Sequence, residues 1–108
     1  MIRVEIKKLN NNLKSISVMG HAMYDIYGKD IVCSAVSTCV ITTVNGILEI
    51  DDTLIDVVQE ENKIVITKKK DNDIVNSLLK NMIDILSDLE RQYPKNIRLS
   101  KEEFWWIN

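Results

Sequence analysis

The chain has little with which to build a cross-linked or metal-bound scaffold: two cysteines, Cys33 and Cys39, and one histidine, His21, in 108 residues. Small secreted domains held by disulfides carry more cysteines, and these three residues match no familiar zinc spacing. No metal site is expected. Basic charge is also scarce, with 14 Lys and Arg against 16 Asp and Glu and a net charge of −2. That balance argues against direct binding of nucleic acid by counterion release. Uninterrupted apolar runs fall well short of ~18 residues, so no helix is expected to enter a membrane. Residues 1–8 alternate apolar and charged side chains and contain no signal-peptide core. Three glycines and one proline leave few breaks, and nothing reads as a linker, repeat or low-complexity segment. The expectation is a single domain over residues 1–108, located in the cytoplasm.

What is present is a clean periodicity. Ile2, Val4 and Ile6 alternate with Arg3, Glu5 and Lys7, the period-2 pattern of a half-buried strand. Asn10, Asn11 and Asn12 mark a turn, and residues 13–19 form the second arm of a hairpin. Residues 20–29 have no single period and read as a loop. From Asp30 the spacing becomes helical, with Val32, Ala35, Val36, Cys39, Val40, Thr43 and Ile47 on one face. Asn45 and Gly46 offer a possible stop for that helix. Residues 54–59 and 63–67 form a second hairpin. A second helix follows N-cap candidates at residues 71–73, with an apolar stripe of Ile74, Val75, Leu78, Leu79, Met82, Ile83, Leu86 and Leu89. Residues 97–106 are compatible with a last strand. The order β-β-α-β-β-α, with a possible final β, predicts an α+β fold: two layers, an antiparallel or mixed sheet covered by two helices.

The chemistry concentrates in residues 20–37. With Asp30 as N-cap, Cys33 lies in the first helical turn, where the dipole and the terminal N–H groups favour a thiolate. An ordinary thiol of pKa ~8.5 is about 3% ionised at pH 7, whereas one lowered to ~6 is roughly 90% ionised. Cys39 receives no such help. It falls about 120° from Cys33 around the helix and reads as a small core residue. His21 stands directly after a strand and a glycine, at the mouth of the loop. Composition and spacing therefore reach a Cys–His pair, and structural roles for both residues stay open.

Residues 20–37 also resemble the signature of the ribosomal-processing cysteine protease Prp family. The residues that carry the resemblance are Gly20, His21 and Ala22, then Gly28, Asp30, Ile31, Val32, Cys33, Ala35, Val36 and Ser37. The element order and the length are similar too. The resemblance implies a homodimeric cysteine endopeptidase without metal or cofactor, which removes the N-terminal extension of a large-subunit ribosomal protein. It assigns Cys33 as nucleophile and His21 as general base and then acid.

Several neighbours would support such a site. Asp30 is placed to cap the helix or orient His21, and Ser37 lies one turn from Cys33. Backbone N–H groups near Cys33 and Ser34 are candidate oxyanion donors. Gly20 and Gly28 bracket a loop on which Met23, Tyr24, Ile26 and Tyr27 supply apolar bulk for gripping a substrate side chain. Residues 30–62 hold seven acids and no Lys or Arg, which reads first as an ordinary solvated face and otherwise as a surface that steers a basic polypeptide. Asp51 and Asp52 read as a turn, and Lys68, Lys69 and Lys70 as a charged hairpin end. Phe104, Trp105 and Trp106 have no assigned role. The competing reading is a non-catalytic module that binds a ribosomal protein or assembly factor.

Overall fold

The computed structural model describes residues 1–20 and 31–105. The N-terminal alternation becomes β1 (Ile2–Leu9), which turns back into β2 (Asn12–Met19). The turn uses Asn10 and Asn11, both at positive φ (49° and 66°), the backbone region that asparagine tolerates best among residues with a side chain. Next come α1 (Ile31–Ile50), β3 (Ile55–Glu60), β4 (Lys63–Lys68), α2 (Asp73–Gln92) and β5 (Ile97–Phe104). The five strands form one sheet in the order β3-β4-β2-β1-β5. Every pairing is antiparallel except β1 with β5, which is parallel. The expected α+β architecture is thus present as a mixed sheet. The last strand ends at Phe104; Trp105 lies beyond it, and Trp106 falls outside the described residues.

Strand register assembles the core. Val4 sits opposite Val18, Ile6 opposite Ile16, Ile16 opposite Ile66, and Ile2 opposite Ile97. All are buried, together with Val32, Val36, Val40, Val44 and Ile47 of α1 and Val75, Leu79, Met82 and Leu86 of α2. Both helices contribute to one continuous apolar cluster with the sheet.

Helix α2 follows its predicted stripe with one correction: Ile74 is 50% exposed. It occupies the first turn, where the Asn72 carboxamide oxygen accepts the N–H groups of Ile74 and Val75 at 2.8 and 3.2 Å. That cap fixes the entry angle and turns Ile74 outward. At the other end, Glu90 accepts the backbone N–H of Leu99 at 2.8 Å, which ties α2 to edge strand β5.

Helix α1 brings two corrections. It runs through Asn45 and Gly46 to Ile50, so that pair does not stop it. It is also long and apolar enough to cross a membrane by length and composition, contrary to the expectation from uninterrupted runs. The residues that interrupt it are Ser, Thr, Asn and Gly, and only charges are costly enough to disqualify such a segment. Here its valine stripe is packed in the protein core.

Two glycines carry opposite predictions. Gly20 has φ +118°, and a Cβ there would stand 2.6 Å from the Met1 carbonyl oxygen. Gly46 is helical, with nothing within 4 Å of where a methyl group would stand. Gly20→Ala should therefore destabilise by about 1–3 kcal/mol, and Gly46→Ala should stabilise by about 0.5–1 kcal/mol. Urea midpoints of the two variants against the parent check both signs.

Candidate active site

Connectivity places the start of α1 beside the end of β2. Helix α1 leads into β3, whose first residue Ile55 pairs with Lys68 at the end of β4. Lys63, at the other end of β4, pairs with Met19. A 20-residue helix spans about 30 Å and an eight-residue strand about 26 Å. The helix thus starts at the Gly20 end of the sheet and finishes at the Asn11 end. Cys33, its third residue, lies at the Gly20 end.

Gly20 is anchored there from two directions. Its N–H donates to the Asn62 carbonyl at 3.2 Å, and its α-carbon faces the backbone of Met1. This bond brings the β3–β4 turn, with exposed Glu60 and Glu61, to the same end. The acidic run is consequently divided. Asp51 and Asp52 lie past the far end of α1, where Asp51 accepts the Thr53 hydroxyl and N–H. Those bonds hold the Asp51 carboxyl below its ordinary range, and the turn predicted for this pair is confirmed.

The two cysteines differ in burial, and Cys39 is less buried than its core assignment predicts. Cys33 is buried at 3% exposure, and Cys39 is only partly buried. The buried meridian of α1 runs through Cys33, Val36, Val40, Val44 and Ile47, rotated from the predicted stripe. Ala35, Cys39 and Thr43 fall on its flank, where Thr43 donates its hydroxyl back to the Cys39 carbonyl at 2.8 Å. Cys39 Sγ points at the Met82 carbonyl, 4.0 Å away, and desolvation pushes this thiol up. Val44 escapes the sequence pattern because polar Thr42, Thr43 and Asn45 surround it.

Of the other predicted residues, Ser34 is exposed and Ser37 half-buried. No acidic side chain stands in the first turn of α1 from Ile31 onward. His21, Met23, Tyr24, Ile26, Tyr27, Gly28 and Asp30 lie outside the described residues. What the structure brings together is the end of β2, the turn bearing Glu60 and Glu61, and the helix start bearing Cys33.

Residues 1–98 match the family model described as Cysteine protease Prp. The ribosomal processing cysteine protease Prp of Staphylococcus aureus is 31% identical over 105 residues, covering 93% of this chain and 98% of that protein. A crystal structure of Prp from S. aureus with a covalently linked product peptide is similar with a TM-score of 0.85 and 28% identity, over 94% of this chain and 100% of that one. A second structure, with a substrate peptide, gives a TM-score of 0.82 at the same identity and coverage.

The two thiols supply a test in which access and activation compete. Exposure favours Cys39; thiolate stabilisation at a helix start favours Cys33. Iodoacetamide at neutral pH is expected to label Cys33 first, with Cys39 following only as pH rises, because burial raises its thiol. Peptide mass mapping that finds Cys39 labelled first would mean that Cys33 is not activated.

Proposed function

Since the chain belongs to the cysteine protease Prp family and is a cysteine peptidase of the ribosomal-processing type, we propose that it removes the N-terminal extension of a large-subunit ribosomal protein, with Cys33 and His21 as its catalytic pair. The observation that carries this reading is the position of Cys33 in the first turn of α1, at the sheet end where β2 runs out to Gly20, the residue that precedes His21 in the sequence. The non-catalytic module is set aside, because the matched family is one of proteases.

In the proposed reaction the Cys33 thiolate attacks the scissile carbonyl carbon. The carbonyl oxygen gains negative charge and is met by first-turn N–H groups around Cys33 and Ser34, at the positive end of the helix dipole. The C–N bond then breaks, and His21 gives its proton to the leaving amine. His21 next takes a proton from water, whose oxygen attacks the thioester and frees Cys33. Asp30 serves as helix cap, as a partner for His21, or as both. Residues 20–28 grip an apolar or aromatic side chain before the scissile bond, with a small residue after it. Glu60 and Glu61 draw a basic polypeptide toward this end.

The same reading includes a homodimer. Its support is the outer face of α1, where exposed Ile31, Ser34, Thr38, Ile41, Thr42 and Asn45 present no charge. Light scattering after size exclusion gives the mass directly; a monomer at working concentration would remove the dimer from the proposal.

Incubation with the extended ribosomal protein and mass spectrometry of the products tests the chemistry. Wild type should release one N-terminal peptide and Cys33→Ala none. His21→Ala should fold and lose about 10²- to 10⁴-fold in rate. Truncating a Phe-sized residue before the cut to Ala should cost about ten- to a hundredfold in kcat/KM. The Glu60→Gln, Glu61→Gln double variant should raise KM at low salt, leave kcat alone, and converge on wild type as salt increases. Intact substrate in the presence of a reduced, alkylatable Cys33 would sink the reading.

A further inference from the structure

At the Asn11 end, far from Cys33, three strands pass from apolar to basic along their inner rows, β5 one pair before β1: Lys101 is opposite Ile6, and Lys8 is opposite Glu103. On the helix-facing side, β1 reads Ile2, Val4, Ile6 and then Lys8; β4 reads Ile64, Ile66 and then Lys68; β5 reads Ile97, Leu99 and then Lys101. Each apolar row ends in a lysine where the core ends. The three lysines line a cavity of about 300 Å³ under α2, which adds Lys80, Asn76 and Asp84 to its wall. This volume is at the lower bound of small-molecule sites.

The charges are arranged, not merely crowded. The Lys68 side chain is only 6% exposed, and its ammonium donates to Asn76 Oδ1 at 2.9 Å and Asp71 Oδ1 at 3.3 Å. Asn76 in turn donates to Asp71 at 2.8 Å, so the network fixes the ammonium and leaves it a third N–H. Asp84, the one carboxylate in the lining, is engaged by Lys80 at 2.7 Å. Lys8 and Lys101 make no ion pair among the described residues. The lining thus carries four lysines against one carboxylate, with Asp71 bonded to Lys68 and Glu103 across from Lys8 outside that lining.

We infer that this cavity is a binding site for a small phosphorylated molecule, separate from the thiol site. Ammonium groups act as point charges that suit a phosphate from several directions, and here they converge from two layers. The pocket offers no planar guanidinium fork of the kind that selects carboxylates.

The test is a ¹⁵N-NMR titration of the full chain with pyrophosphate, AMP and succinate at matched ionic strength. Saturable shifts at Lys8, Leu13, Lys68, Asn76 and Lys101 with either phosphate compound are expected, with succinate weaker by at least about tenfold. Tighter binding of pyrophosphate would identify an inorganic or terminal diphosphate as the ligand, and tighter binding of AMP a nucleotide. The Lys8→Gln, Lys101→Gln double variant alters half-buried or exposed positions and should fold, yet bind at least about tenfold more weakly. The inference fails if the shifts do not saturate, if succinate binds equally well, or if the double variant keeps the parental affinity.

Discussion

Everything at the candidate active site depends on the burial of one helical stripe. More than half of the residues of α1 are β-branched; its first turn has no acid and its last turn no base to compensate the dipole. Such a segment has little helical tendency of its own. It is helical because Val36, Val40, Val44 and Ile47 fill the space between the sheet and α2. The first turn, and Cys33 within it, inherits its position from that packing. Cys33 itself belongs to the buried cluster, so the candidate nucleophile is also a core residue. Reactivity and stability therefore share an atom, and neither can be altered there without touching the other.

The sheet also sets an acidic turn at one end and a lysine cluster at the other. At the Gly20 end, the β3–β4 turn presents Glu60 and Glu61, drawn in by the Gly20–Asn62 bond. At the Asn11 end, the inward-facing apolar rows give way to Lys8, Lys68 and Lys101, with Glu103 next along β5 opposite Lys8. The two ends are about one strand length apart, roughly 26 Å, well beyond a Debye length in physiological salt. Each end presents its own electrostatic environment to whatever approaches it.

Much of this is legible in the sequence, and the exceptions have identifiable causes. The hairpins are readable because period-2 alternation and asparagine turns are local properties, and local properties survive folding. The placement of Cys33 in the first turn of α1 is readable from the motif. The rotation of α1 is not, because Cys33, Cys39, Thr43 and Val44 have similar sizes and polarities, and only the neighbouring helix decides among them. Ile74 is misplaced because a hydrophobic residue in a capped first turn looks, by spacing alone, like part of the stripe. The lysine pocket is invisible for a different reason. Its members lie at residues 8, 68, 80 and 101, and only the strand order makes them neighbours. By sequence Lys68 is one of three equivalent lysines at a hairpin end, yet its side chain is nearly buried while Lys69 and Lys70 are exposed.

The parallel pairing of β1 with β5 sets the order in which the molecule can be completed. Ile2 bonds beside Ile97, so the interior strand β1 waits for a partner 95 positions later in the chain. During synthesis at roughly 5–20 residues per second, the antiparallel strands and α1 emerge several seconds before β5 does. Throughout that interval one edge of β1 stays open, with the inner side of Ile2 and Val4 only partly covered. Contacts of such long sequence separation form slowly, and an open edge recruits foreign strands. Completion of the sheet is therefore tied to the emergence of β5, and the nascent chain is most vulnerable to misassembly just before that strand appears.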